Sequence, residues 1–456
     1  MGIRLDWEIE ADQQQVRQAG EDPLTRRRRR RARLRVLLLI LLVVALAAAV
    51  VAAVVLRLRA VDEQTVRLLR STVEAEVAAL RIDDEGAFLA FQRSATDDWL
   101  LRQQQLLDDY QALMLTRDVQ LSGRVVDVTV DDARGRVQVE EIVDGAPYVR
   151  TWFYWRYDDG WRHVPPDYTF WGEARTHQGA HVTAYYRAVD EPFAQAAAAA
   201  LDSWLETGCA ALGCAEIPAL TVEITPDETA QASWRDGESW TLRLPSPYVG
   251  VARLDQPFDL NRQLGAAGLL ADRLVTAAAG GQSAAFPSDA YYLRTAVTSW
   301  LVGRFTQINT NSFLVASLAQ SFGDAAVGAL VRALQPDSSV DMVSAVTGVP
   351  LDQAGLDWRD FFTWRLTVED ELLKRADEAA FLNLYDTRDE SARLLAYERF
   401  AAGATGERRV VVSVIPEDDP AGGTRLRAVA QVGEGAAARQ EAAVFRVSDG
   451  VWRRVN

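Results

Sequence analysis

Only three histidines occur in the 456 residues, His163, His177 and His181, so any chemistry that needs an imidazole must use one of these. His177 and His181 stand four apart, which on a helix would put two metal ligands on one face. The surrounding "GAHVTAYYR" alternates like a strand instead, and there the same separation spreads the rings about 13 Å along the axis. No metal site is expected at that pair. Two cysteines, Cys209 and Cys214, lie in "TGCAALGCAE". Their spacing is not that of a C-x-x-C redox pair, and no histidine lies nearby to complete a zinc site. A disulfide closing a tight turn is the candidate, with two free buried thiols as the alternative. His163 is followed by Asp167, Tyr168 and Trp171 in "HVPPDYTFWG". An imidazole, a carboxylate, a phenol and an indole at the end of a strand could line a mouth and bind a ligand or move a proton. The competing reading is a solvated surface histidine, because the sequence ties no second titratable group to it.

Other chemistry is scarce. No G-x-S-x-G, P-loop or G-x-G-x-x-G occurs. The acidic pairs Glu140-Glu141, Asp158-Asp159 and Asp418-Asp419 fall at turns or on alternating strand faces, where solvation explains them. No catalytic residue, metal or cofactor is therefore assigned.

The elements that carry His163 begin with a helical pattern over residues 60–109. In "VRLLRSTVEAEVAAL", Val66, Leu69, Val73, Val77 and Leu80 repeat at three and four, which makes one buried face. "GAFLAFQ" and "DDWLLRQQQLLDDYQALM" continue as shorter helices. The period then becomes two, and "VQLSGRVVDVTV", "RVQVEEIV", "YVRTWFYWRY" and "WRHV" read as four strands separated by tight turns. Helices followed by an antiparallel meander give an α+β layout.

The same order returns at the end of the chain. "VFRVSDGVWRRVN" aligns with "YWRYDDGWRHV" by setting Asp449-Gly450 on Asp159-Gly160, which leaves Val451 as one extra residue and puts Arg454 in place of His163. Upstream, the stretch from Thr367 to Glu390 parallels that from Thr72 to Asp98. The second copy is expected over residues 366–456. Because Trp161 and Trp452 recur with the turn, they read as packing residues. The long helix, the "GAFLAFQ" helix and the strands ending in "YDDGWRHVPPDYTFWG" resemble the nuclear-transport-factor-2-like (SnoaL-like) cone fold over residues 61–172. That resemblance implies a sheet curled around a helix and leaves function open, since the fold hosts enzymes, binding modules and adaptors.

Between the copies, "HVTAYYR", "ALTVEIT" and "SWTLRLP" read as strands, and "EPFAQAAAAALDSWLETG" as a helix with Asp190 as its cap and Pro192 in its first turn. Two long helices follow, "LNRQLGAAGLLADRLVTAAAG" and "PSDAYYLRTAVTSWLVGRFTQ". This order resembles the peptidase-MA-like (gluzincin) metallopeptidases, in which the first long helix carries H-E-x-x-H and the second a glutamate. Here the first helix has no His or Glu, and in "SWLVGRF" Val302 stands at the glutamate position. Two imidazoles one helical turn apart, a carboxylate and a general base are needed for catalytic zinc, and these positions cannot be filled here. The first helix offers instead an apolar stripe, Leu260, Leu264, Ala267, Ala271, Leu274 and Ala278, with Gly265 and Gly268 expected to admit a close backbone approach.

Residues 36–56, "VLLLILLVVALAAAVVAAVVL", contain no polar side chain and would span roughly 31 Å as a helix, the thickness of a bilayer core. "TRRRRRRARLR" precedes them, so the positive-inside rule places the N-terminus in the cytoplasm and the bulk outside. The run is too long for a cleaved leader, and an uncleaved signal anchor is expected. The first 35 residues carry about +4, which leaves about −19 of the net −15 on the remainder. That acidic bulk argues against a nucleic-acid partner.

The expectation is thus a multidomain α+β protein: a polar, basic tail (1–35), a transmembrane helix (36–56), a cone-type domain (60–172), a peptidase-like domain without metal ligands (177–362) and a second cone-type domain (366–456). It would be a single-pass protein of a bacterial plasma membrane, in contact with the bilayer and with a protein or peptide outside the cytoplasm, acting as a binding or scaffold protein. The alternatives are an acid-base enzyme working through the first cone domain, or a signalling partner acting through the tail, where Trp7 and its acidic neighbours form a possible docking segment.

Overall fold

The computed structural model describes residues 23–237, 239–420, 422–433 and 438–456. The tail segment around Trp7 lies outside these residues. The chain forms an α+β protein with three sheets, and its contacts divide it into two compact units. Of the described residues, the first comprises those up to 111 together with 125–137 and 153–164; the second comprises 112–124, 138–152 and those from 165 on.

The first unit is organised by helix α1 (Pro23–Arg81), 59 residues long. No Pro or Gly interrupts this stretch, so the apolar run and the amphipathic run that follows join in one uninterrupted helix rather than two. Among the described residues it is the one unbroken helix long and apolar enough to cross a membrane, and its apolar window is wholly exposed. Further along, Leu69, Val73, Val77 and Leu80 turn inward as the spacing predicts. Helices α2 (Glu85–Ala90) and α3 (Asp97–Thr116) follow, with Asp84 accepting from the Ala87 N–H at 2.9 Å to cap α2. The strand expected over 119–130 is broken into β1 (Val119–Gln120) and β2 (Val125–Asp131), because Gly123 adopts φ +68°. Then come β3 (Arg134–Val143), β4 (Ala146–Tyr157) and β5 (Gly160–Val164), of which residues 138–152, like β1, are assigned to the second unit. At Gly135 a Cβ would stand 2.6 Å from Leu69 Cδ2, so only glycine lets the strand lie against the helix there.

The second unit holds two more sheets. In the first of them, β7 (Val182–Arg187), β8 (Leu220–Thr225) and β10 (Thr241–Pro245) are parallel neighbours. β6 (Ala174–Gln178) and β9 (Ser233–Trp234) lie antiparallel at the two edges. β11 (Val251–Arg253) leaves this sheet and pairs antiparallel with residues 148–150 of β4. Helix α4 (Glu191–Leu212) ends at Gly213 in the left-handed conformation, φ +69°, and Cys209 and Cys214 are joined there by a disulfide. Helix α5 (Leu260–Ala278) packs against α6 (Asp289–Thr306). Helices α7 (Phe313–Phe322), α8 (Asp324–Ala333) and α9 (Met342–Thr347) complete this part.

Two expectations for α5 need correction. Its buried residues are Ala266, Ala267, Leu270, Ala271, Leu274 and Val275, while Leu260 is 47% exposed, so the stripe is rotated towards α4 and α6. Gly265 and Gly268 have open space where a Cβ would sit, and permit no close approach. The tight crossing is at Gly208 of α4, where a Cβ would lie 2.7 Å from Leu274 Cδ1.

The chain closes with α10 (Arg359–Arg375), α11 (Glu378–Leu382), α12 (Glu390–Ala402) and the antiparallel sheet β12 (Arg409–Asp418), β13 (Thr424–Val432), β14 (Arg439–Ser448) and β15 (Val451–Arg454). Phe362 stacks on Phe445 at 4.3 Å between ring centroids, and Trp358 meets Trp452 edge-on at 5.6 Å.

Candidate functional site

In the first unit a carboxylate sits where a heptad-like stripe would place an apolar residue. Leu69, Val73, Glu76 and Leu80 follow one another at four, three and four along α1, and Glu76 is fully buried. Three donors converge on it. The His163 Nδ1 stands 2.6 Å from Glu76 Oε1, Tyr154 donates its hydroxyl to Oε2 at 2.7 Å, and Gln92 donates its amide N–H to Oε1 at 2.7 Å. Strand pairing sets Tyr154 opposite His163, and the His163 backbone is held on its other side by the Phe91 carbonyl and the Arg93 N–H, each at 2.8 Å. Tyr154 stacks on the imidazole at 5.1 Å and Trp99 meets its edge at 5.2 Å. Burial, reinforced by Glu76, pushes the Tyr154 phenol well above its ordinary value, so it stays a donor. His163 is 3% exposed, which corrects the reading of a solvated histidine. The sequence signal that was missed is Glu76 itself, a charge inside an apolar periodicity.

The second copy repeats the geometry with different chemistry. The Arg454 N–H bonds the Leu384 carbonyl at 2.9 Å and the Asp386 N–H bonds the Arg454 carbonyl at 3.0 Å, as happens around His163. Its guanidinium reaches Glu369 on α10 at 2.8 and 3.1 Å, and Arg409 joins the same carboxylate at 3.3 Å. Glu369 therefore plays the part of Glu76, so the parallel drawn from Thr72 and Thr367 is two residues out of step. The hairpins also align without an insertion. Arg156 pairs with Trp161 and Tyr157 with Gly160, as Val447 pairs with Trp452 and Ser448 with Val451. Val451 takes the position of Gly160 rather than being extra. Trp161 and Trp452 are both buried.

The other three residues grouped with His163 belong to the second unit. Asp167 caps the short turn that follows, accepting from the Thr169 N–H at 3.0 Å. Tyr168 donates to Glu228 at 2.6 Å and meets Trp171 edge-on at 5.6 Å. Trp171 is buried and donates its indole N–H to Asp190 at 2.9 Å. Asp190 precedes α4 but makes no side-chain cap; its carboxylate is spent on Trp171 and Ser246. His177 lies in β6, whereas His181 lies in the turn before β7, so the two are not on one strand.

Around α5 no group of three or more His, Cys, Asp or Glu is placed to hold a metal ion among the described residues. The side chain that reaches from α5 towards the β9 edge is Arg273. Its guanidinium lies 4.4 Å from the Trp234 ring centroid and donates to the carbonyls of Asp236, at 3.0 Å, and Gly237. Trp240 meets Trp234 edge-on. An open groove of about 810 Å³ lies elsewhere in the second unit, between α10 and β12, with Phe286, Phe313 and Trp364 among its walls. Asp360 borders it. Burial pushes this carboxyl up to about 6, against the lowering effect of the Leu314 N–H, which it accepts at 3.1 Å.

No family model, curated protein or solved structure matches the chain.

Proposed function

We propose that this chain is a single-pass, membrane-anchored protein whose bulk lies outside the cytoplasm and binds or scaffolds rather than catalyses. Its middle segment would be a metallopeptidase-like fold without metal ligands, set between two cone-type domains. The observation that carries this reading is Arg273. Where α5 faces the edge strand, a guanidinium stacks on Trp234 and is held by two backbone carbonyls, in place of the imidazoles and carboxylate of a zinc site. A mixed sheet with parallel β7, β8 and β10, an antiparallel edge at β9 and two long helices afterwards is consistent with the resemblance.

The closed state of the Glu76 node supports binding over acid-base catalysis. Its carboxylate accepts from three buried donors and is itself fully buried, so a substrate would have to open the packing to reach it. The exposed apolar helix supports the anchor, and the arginines before it support a cytoplasmic N-terminus. The Cys209–Cys214 disulfide supports an oxidising compartment for the bulk. Of the available surfaces, the groove beside α10 is large enough for a peptide segment or a side-chain cluster of a partner protein.

Metal analysis and a general peptidase assay on the full-length protein in its membrane test the reading. The expected result is no stoichiometric zinc and no hydrolysis that a chelator abolishes. Bound zinc with chelator-sensitive cleavage would overturn it.

A further inference from the structure

Beyond the apolar window, α1 continues for about a dozen residues before its first fully buried side chain, Leu69. Over this stalk Leu58, Val61 and Leu68 are 59%, 53% and 57% exposed. Together with Thr65 they are spaced three, four and three apart, the a/d rhythm of a coiled coil, and Val51 and Val54 extend the same rhythm back into the apolar window. At about 100° per residue this stripe lies roughly a quarter turn away from the face carrying Leu69, Val73 and Leu80, so packing of the first unit leaves Leu58, Val61 and Leu68 exposed and half-buries Thr65.

The charges beside the stripe say what fits it. With Leu58 at an a position, Arg57 takes g and Asp62 takes the e position five residues on. In a parallel two-stranded coil, g of one chain faces the following e of its partner. Arg57 of each copy would then meet Asp62 of the other, two opposite-charge pairs across one symmetric contact. Membrane anchoring supplies the register. Two copies inserted with the same topology stand side by side, parallel and at one height, which is the alignment that makes stripe face stripe. Confinement to one bilayer also raises their effective concentration.

We infer that the stalk at residues 57–68 is a parallel homodimer interface, with Leu58, Val61, Thr65 and Leu68 at the seam and Arg57–Asp62 pairs flanking it. The inference rests on the membrane anchor proposed above and adds a second copy of this chain as the partner of that segment.

Cysteine crosslinking of the full-length protein in native membranes tests it. The two native cysteines are joined to each other, so an added thiol is the one free to react. Val61→Cys and Leu68→Cys should form intermolecular disulfides under mild oxidation, while Glu63→Cys and Arg67→Cys, on other faces of the helix, should not. Arg57→Asp should lower the yield at V61C by about fivefold, and the double change R57D/D62R should restore it. Crosslinking that is equal at all four positions, or absent from membrane-embedded protein, overturns the dimer, as does a charge swap without rescue. Recovery of the chain in the soluble fraction overturns the anchor instead, so the two failures are distinguishable.

Discussion

Arg454 occupies in the second copy the place that His163 occupies in the first, and each reaches a buried glutamate on its own long helix. The backbone contacts that hold them are the same, an N–H given to the residue just after the short helix and a carbonyl taken by the residue two further on. The side chains differ in what they demand. His163 shares Glu76 with a phenol and an amide, whereas Arg454 shares Glu369 with a second guanidinium, Arg409. In both places a single buried carboxylate joins a helix to a sheet, with different donors around it.

That difference sets an order of costs in the second copy. Glu369→Gln leaves Arg409 and Arg454, both nearly fully buried, without their shared counter-ion, and should cost about 3–5 kcal/mol. Arg454→Met leaves Glu369 still paired with Arg409 and should cost less, about 1–3 kcal/mol. Burial opposes the charge on Arg454, but Glu369 more than compensates and holds it protonated. Urea unfolding of the full-length protein, followed by tryptophan fluorescence, gives both numbers. A larger loss for Arg454→Met than for Glu369→Gln would contradict the junction.

In the first copy the expected signature is non-additivity. Tyr154→Phe introduces the residue that the second copy carries at the matching position, Phe445, and removes one hydrogen bond to a charged acceptor, about 1.5–3 kcal/mol. Glu76→Ala strands three buried donors and should cost about 3–5 kcal/mol. Once Glu76 is gone, Tyr154→Phe should cost almost nothing or help, because the phenol has lost its acceptor. Additive losses in this double-mutant cycle would mean the contacts are independent.

Periodicity made much of this architecture legible. The three-four spacing from Val66 to Leu80 located the packed end of α1, and the alternating runs located β3, β4 and β5 within a few residues. The recurring string was legible because "FRVSDGVWRR" carries an Asp-Gly and a tryptophan like those of "WRYDDGWRHV". Its register was not, since sequence similarity favoured matching two Thr-Val-Glu strings whereas the fold matches two buried carboxylates. The Glu76 junction was hidden for a related reason. A glutamate in a helix is ordinarily solvated, and its donors lie 16, 78 and 87 residues away, where local pattern has no reach. Asp190 misled in the opposite sense, a good capping residue at the right place whose carboxylate is claimed by Trp171 from a distant loop.

Asp360 makes stability depend on pH with an unusual sign for a carboxylate. Burial raises it to about 6 in the folded protein, while an unfolded aspartate titrates near 4. Between these values the folded state holds the proton that the unfolded state has lost. Stability therefore falls as pH rises from about 4 through about 6, by on the order of 2–3 kcal/mol. Asp360→Asn keeps one acceptor oxygen for the Leu314 N–H and cannot ionise, so this variant should match the wild type near pH 4 and exceed it above pH 7. Denaturation midpoints at both pH values decide it; parallel profiles for the two proteins would remove Asp360 as the cause.

The turn after α4 offers a test of both stability and compartment. Cys209 is buried, Gly213 needs φ +69°, and a Cβ there would stand 2.7 Å from the Arg332 guanidinium, which itself donates to the Leu212 carbonyl. Gly213→Ala combines backbone strain with displacement of Arg332 and should cost about 1–3 kcal/mol. Replacing both cysteines by alanine releases a small loop and should cost about 2 kcal/mol. If the bulk lies outside the cytoplasm, full-length protein taken from intact cells should resist thiol alkylation until it is reduced. Protein from cells in which residues 26–35 have lost their arginines should react without reduction wherever the topology has inverted. Immediate alkylation of the unaltered protein would place these cysteines in a reducing compartment and reverse the orientation of the anchor.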